Sequence, residues 1–263
     1  MCRLFGLHAG ERRTDATFWL VDAADSLSRQ SHGNPDGFGI GTFRPGGVPL
    51  VDKDALPAWA DPDFARAAHK LRGTTMIDHV RHASHGSITP ENAHPFAMDS
   101  RLFAHNGDIG DVAALDEQLS RFPPDPRYTP AGETDSERFF ALITAETISR
   151  SGDLDAGSAA AIDWVVRELS VVSLNFVLIT PTELRAFRYP AENTLFVLER
   201  PAGEMFRGLG SNIRADSNDL AAGPSVVVAS ERIDDGERWR PLEPGEQIRV
   251  GRDRVVHSSH PHE

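Results

Sequence analysis

The order of patterned blocks limits this chain more than any single motif: strand-like segments, then a helical block near residues 134–169, then strands again. Leu4, Phe5 and Leu7 among small residues predict a buried strand over residues 3–9, closed by Gly10. Apolar residues at helical spacing predict a helix from Thr14 to Arg29 and another over Asp61–Arg72. Strands are expected at Gly37–Phe43, Thr74–Arg81 and Arg101–His105. Thr134-Asp-Ser-Glu137 matches a capping box opening a helix that runs to about Arg150, and Ser158 reads as the N-cap of a second helix ending at Leu169. Short β-branched runs follow at Val171–Thr180, Glu183–Arg188, Thr194–Leu198, Ser225–Ser230, Gln247–Val250 and Arg254–His257. Segregated strands and helices predict an α+β layered domain rather than alternating βαβ units. A chain of 263 residues buries enough surface to hold such a fold without a disulfide or a structural metal. One domain is expected over residues 2–255, with a frayed tail at 256–263.

Charge and cysteine content narrow the function classes. With 39 acidic and 27 basic side chains, the net charge of −12 repels nucleic acid and anionic membranes, and no basic patch offsets it. The single cysteine, Cys2, excludes an intrachain disulfide framework. The N-terminus lacks the apolar core of a signal peptide, and the longest apolar runs are too short to span a bilayer. A cytoplasmic protein with no nucleic-acid or membrane partner is expected.

Several short segments carry chemistry. Removal of Met1 would leave the Cys2 thiol and a free α-amine on one residue, and an amine of pKa near ~8 can take its own thiol's proton. The plainer alternatives for Cys2 are a small residue starting a strand or a lipid attachment site. In His79-Val-Arg-His-Ala-Ser-His-Gly86, strand alternation puts His79 and Arg81 on one face. The Arg81 fork suits a substrate carboxylate, or half of an internal ion pair. His79, His82, His85, His94 and His105 raise the question of a metal, but no His-Glu-x-x-His or paired-cysteine signature is present. The first three cannot converge from a straight strand. No metal and no cofactor is therefore expected, and most of these histidines read as hydrogen-bonded loop residues. Asn106-Gly107 pairs an amide with a close-approaching backbone N–H, suited to an oxyanion, although taken alone the dipeptide spells a type I′ turn. Asp135, in the first turn of its helix, suits a substrate ammonium, or simply the helix dipole.

Taken in order, Cys2, Asn34-Pro-Asp-Gly-Phe-Gly39, His79–Gly86, Asn92-Ala-His-Pro95, His105-Asn-Gly107, Gly132–Glu137, Val226–Ser230 and Glu243-Pro-Gly-Glu246 make the whole chain resemble the glutaminase domain of class II glutamine amidotransferases, which are N-terminal-nucleophile hydrolases. The resemblance implies a four-layer αββα sandwich of two mainly antiparallel sheets between helical layers. It implies Cys2 as nucleophile with its α-amine as base, and Asn106 with the Gly107 N–H as oxyanion hole. Arg81 is implied for a substrate α-carboxylate and Asp135 for its α-amine. Ser84 and His85 would line the glutamine pocket, and His94 would support it.

The expected reaction is hydrolysis of the glutamine side-chain amide through a γ-glutamyl thioester, releasing ammonia for an unknown acceptor. Two departures fall on loops that couple glutamine binding to synthesis in the family: His32-Gly33-Asn34-Pro35 stands where Arg-Gly is common, and His82 where an aromatic often follows the clamp arginine. With no synthase half in the sequence, the expected acceptor lies on a synthase or other partner protein, or ammonia is simply released. One alternative is a γ-glutamyl-amide hydrolase acting on a thiol-containing γ-glutamyl compound or peptide. From other classes come a non-catalytic glutamine-binding subunit, indifferent to the thiol, and a metallohydrolase, sensitive to chelation.

Overall fold

Residues on the first strand sort by parity, Leu4 to one side and Phe5 and Leu7 to the other, and both sides are buried. Such a strand belongs in the interior of a sheet covered on both faces. In the computed structural model, which describes residues 2–23, 25–83, 86–203, 222–234 and 238–261, it lies there. The strands in chain order are β1 (Arg3–His8), β2 (Phe38–Phe43), β3 (Pro49–Asp54), β4 (Thr75–Val80), β5 (Phe96–Met98), β6 (Arg101–Ile109) and β7 (Val171–Ile179). They continue with β8 (Leu184–Phe187), β9 (Phe196–Arg200), β10 (Ser225–Ala229), β11 (Arg240–Pro241), β12 (Gln247–Val250) and β13 (Val256–Ser259). The helices are α1 (Leu27–Gln30), α2 (Pro62–Lys70), α3 (Val112–Leu119), α4 (Asp135–Ser149) and α5 (Leu154–Glu168).

One sheet has the order β11-β9-β10-β1-β4-β2-β3 and the other β13-β12-β8-β7-β6-β5, with every described pairing antiparallel. Three cores separate four layers. Phe5, Phe18, Trp19, Phe38 and Phe64 fill the space between the first sheet and its helices. Leu4, Ile77, Leu102, Val177 and Val228 fill the space between the sheets. Phe103, Phe139, Phe140, Ile162 and Phe176 lie between the second sheet and α4 and α5. This is the αββα sandwich of two mainly antiparallel sheets.

Local departures from the expected elements have identifiable causes. The stretch 14–29 is a π-helical turn at Phe18–Asp22 and then α1, because the backbone turns extended at Ala23; apolar spacing specifies an inward face, not an unbroken helix. Helix α5 begins one turn before Ser158: Asp153 accepts from the Ala156 N–H at 3.0 Å and supplies the cap, while Ser158 is buried. Asn106-Gly107 is not a turn, since β6 continues to Ile109 against β7. The expected tail starts as strand, with Val256–Ser259 paired to β12. Strand β3 carries no alternating pattern and is half-buried at a sheet edge, so it left no sequence signal.

Gly6 faces the second sheet, where a Cβ would meet Val177 Cγ1 at 2.8 Å and Leu184 Cδ1 at 3.0 Å. Gly6→Ala is expected to lower unfolding free energy by about 1–3 kcal/mol in urea titration. Combining it with Val177→Ala should cost less than the sum of the two single changes, because the smaller neighbour makes room. Strict additivity would show that the sheets are not in contact there.

Candidate active site

The central position of β1 fixes the sulfur. Leu4 exchanges hydrogen bonds with Ser230 just beyond β10, its N–H donating to Oγ at 2.9 Å and its carbonyl accepting the Ser230 N–H at 3.1 Å. On the other side Arg3 pairs with Val80, which brings Cys2 opposite the chain just after β4. The His82 N–H donates to Cys2 Sγ at 3.2 Å, and the thiol faces the His82 carbonyl at 3.3 Å. Burial pushes the Cys2 thiol above its ordinary pKa; the His82 N–H and the Arg81 guanidinium oppose this. A thiol held in this state needs a base to become a nucleophile.

Cys2, Arg81, His82, His94, His105, Gly107, Asp135 and Ser136 line one cleft. Arg81 is buried and donates to the carbonyls of Ser87 at 3.1 Å and Gly86 at 3.4 Å, which ties it to its own loop. Asp36, from the Asn34–Gly39 segment, accepts the Ala83 N–H at 2.9 Å and holds the chain just past Arg81. Asn92 bridges that loop to the start of α4: its Oδ1 accepts the Glu133 N–H at 2.8 Å and its amide donates to the Ser87 carbonyl at 3.1 Å. The sequence motifs contain Asp36, Asn92 and Glu133 but assign them no role, because each acts through backbone groups that no residue pattern announces.

Thr134 caps α4 as expected, accepting the Glu137 N–H at 3.2 Å, but Glu137 turns back to the N–H groups of Ala131 and Gly132 instead of that of Thr134. The half-formed capping box shapes the loop that delivers Asp135. Asp135 is buried, with Oδ2 accepting from the Ile109 N–H and Oδ1 from the Ser136 N–H, both at 2.8 Å. Gly107 lines the cleft, whereas Asn106 does not. Asn106 is buried on the inter-sheet face it shares with Leu102 and Ala104, the face on which Cys2 follows Leu4 from the opposite sheet. Ser84 and His85 lie outside the described residues.

His79 and His94 differ from the hydrogen-bonded loop residues expected. His79 and His94 are buried, their ring centroids 4.2 Å apart, and neither ring nitrogen finds a hydrogen-bond partner of ordinary geometry among the described residues. Burial, with Arg81 nearby, lowers His79 to about 3, and burial holds His94 well below the usual histidine range. They are neutral packing groups behind Arg81. Among the described residues no cluster of three or more His, Cys, Asp or Glu could hold a metal ion, and no helix is long and apolar enough to cross a membrane.

The sequence profile of the family described as "Glutamine amidotransferases class-II" matches residues 1–262. The chain is 31% identical over 216 residues to the gamma-glutamyl-hercynylcysteine sulfoxide hydrolase of Mycolicibacterium smegmatis, covering 80% of this chain and 76% of that one. It is 29% identical over 163 residues to the probable glutamine amidotransferase DUG3 of Saccharomyces cerevisiae; that match takes in 57% of this chain and only 45% of the yeast protein. The solved glutamine aminotransferase class-II domain protein from Silicibacter pomeroyi shares the fold, with a TM-score of 0.65 at 24% identity over 98% of both chains.

The buried imidazoles predict a pH signature. An unfolded histidine gains a proton near pH ~6.5, whereas His79 in the folded chain resists until about pH 3. The unfolded state therefore binds the extra proton first, and this residue's contribution to stability is lost as pH falls from the former value toward the latter. Replacing His79 with Gln should remove a slope of at most about 1.4 kcal/mol per pH unit from the wild-type stability profile. Parallel profiles for the two proteins, measured by denaturant unfolding, would mean that His79 is not buried as a neutral ring.

Proposed function

The chain belongs to the class II glutamine amidotransferases, a family of enzymes, and we propose that it hydrolyses the side-chain amide of glutamine through a γ-glutamyl thioester on Cys2. The observation that carries this reading is the meeting of a buried cation and a buried carboxylate, Arg81 and Asp135, in the cleft that also holds the Cys2 sulfur. Opposite charges on the cleft wall suit the carboxylate and ammonium of an amino-acid head group, leaving its side-chain amide for the thiol.

In the proposed cycle, removal of Met1 frees the Cys2 α-amine, which takes the thiol proton. The sulfur attacks the amide carbon; the C=O electron pair moves onto oxygen, which Asn106 and the Gly107 N–H stabilise. Collapse of this adduct breaks the C–N bond, and the ammonium form of Cys2 returns the proton to departing ammonia. Water, deprotonated by the same amine, then adds to the thioester and yields glutamate and free thiol. His94 supports the pocket wall, and Ser84 and His85 complete the head-group pocket. Residues 2–255 act as one catalytic domain, and ammonia is released to solvent or to an acceptor carried by a partner protein.

The 31% identity to a gamma-glutamyl hydrolase favours a second reading, in which the leaving group is the amine of a thiol-containing γ-glutamyl compound rather than ammonia. Head-group recognition would be unchanged; only the far side of the scissile bond would differ. Incubation with glutamine and a panel of γ-glutamyl amides, following ammonia or amine release, separates the two. Cys2→Ser should abolish turnover of whichever substrate is best. Asn106→Ala should lower kcat by about 10²–10³ with little change in KM, the loss typical of one oxyanion donor. Full activity in Cys2→Ser protein would exclude both readings.

A further inference from the structure

Two residues of the cleft, His105 and Ser136, take no part in the chemistry above, yet they touch each other and Ser136 also reaches Asp135. His105 is buried, with Nε2 at 3.1 Å from the Ser173 carbonyl and Nδ1 at 2.9 Å from Ser136 Oγ. A carbonyl only accepts, so Nε2 carries the ring proton. Burial lowers the His105 pKa against the upward pull of Asp135, which leaves the ring neutral and Nδ1 a bare acceptor. The Ser136 hydroxyl has one proton and two acceptors within reach: His105 Nδ1 at 2.9 Å and Asp135 Oδ1 at 3.3 Å. The shorter contact to His105 takes it.

We infer that His105, by holding the Ser136 hydroxyl, keeps the second acceptor position of Asp135 Oδ1, which already takes the Ser136 N–H at 2.8 Å, for the substrate ammonium and so sets the preference of this site for head groups that carry an α-amine. The inference rests on the reading that Asp135 receives that amine. Both residues are positioning residues, since neither touches a reacting atom. Gly107 fits the same arrangement. A Cβ there would lie 2.3 Å from His105 Nε2 and 2.0 Å from the Ser173 carbonyl oxygen, displacing the bond that fixes the ring. The glycine thus serves two ends, its N–H for the oxyanion and its missing side chain for the histidine.

The test compares glutamine with glutaramate, which is glutamine without its α-amine, as substrates and as competing ligands. In His105→Phe the acceptor is gone and the Ser136 hydroxyl turns to Asp135 Oδ1. KM for glutamine should rise about tenfold, the factor of one hydrogen bond to a charged group, while glutaramate affinity stays within about twofold. Adding Ser136→Ala removes the competing hydroxyl and should restore most of the glutamine preference. His105→Asn, which keeps an acceptor on this side, should retain it. Equal losses for both ligands in His105→Phe, or a double variant no better than the single one, would overturn the inference. Nitrogen NMR of the wild-type protein gives a second check independent of any variant's folding: the Nε2-protonated neutral tautomer is required, and an Nδ1-protonated or charged His105 contradicts it. Asp135→Asn separates the two layers of argument. If it leaves the preference intact, the amine-binding reading fails; if it removes the preference while the His105 variants do not, only the inference fails.

Discussion

The structure depends on the hydrogen bonding of one strand, β1, which runs through the middle of a seven-stranded sheet with ladders on both sides. A residue at the end of such a strand inherits the rigidity of both neighbours. Ser230 fixes Leu4 from one side and His82 fixes the Cys2 sulfur from the other. The Cys2 sulfur, the proposed nucleophile, is therefore placed by hydrogen bonds that hold its strand and the sulfur itself. Both sheets must be present for this, because the inter-sheet core that buries Leu4 is built from strands of each.

Electrostatics in the cleft follow from what burial does to each group. Arg81 and Asp135 are both buried, and each is stabilised by backbone partners: loop carbonyls for the cation, and the N–H groups of Ile109 and Ser136 for the carboxylate. In the proposed reading these two side chains face the opposite charges of a zwitterionic guest, and their backbone partners offset part of the cost of burying them. His79 and His94 are held neutral instead. Burial lowers the His79 pKa, and repulsion from the nearby Arg81 adds to it.

Much of this was legible in the sequence, for specific reasons. The β1 strand, the Thr134 cap and the strands β7, β8, β10 and β12 are local patterns of burial and capping, and they appear where expected. Arg81 and Asp135 could be singled out because charges at the end of a buried strand and at the start of a helix call for an explanation. Asn106-Gly107 was ambiguous, because its turn propensity is local while its place in β6 is dictated by pairing with Leu174 and Asn175 of β7, far along the chain. Ser136 was hidden inside a capping box, where its neighbours Thr134 and Glu137 explain the local pattern without it. The buried pair His79 and His94 was not visible at all, since only the fold brings a strand and a later loop to 4.2 Å.

The central claim is that Cys2, once its amine is free, is the nucleophile of a pocket for a γ-glutamyl head. The most direct measurement is treatment of active protein with an electrophilic glutamine analogue, followed by intact mass and sequencing of the N-terminal peptide. The account predicts one adduct per chain, on the sulfur of a Cys2 that has lost Met1, with excess glutamine protecting it. Active protein that keeps Met1, or that stays unlabelled at Cys2 under saturating reagent, would contradict it.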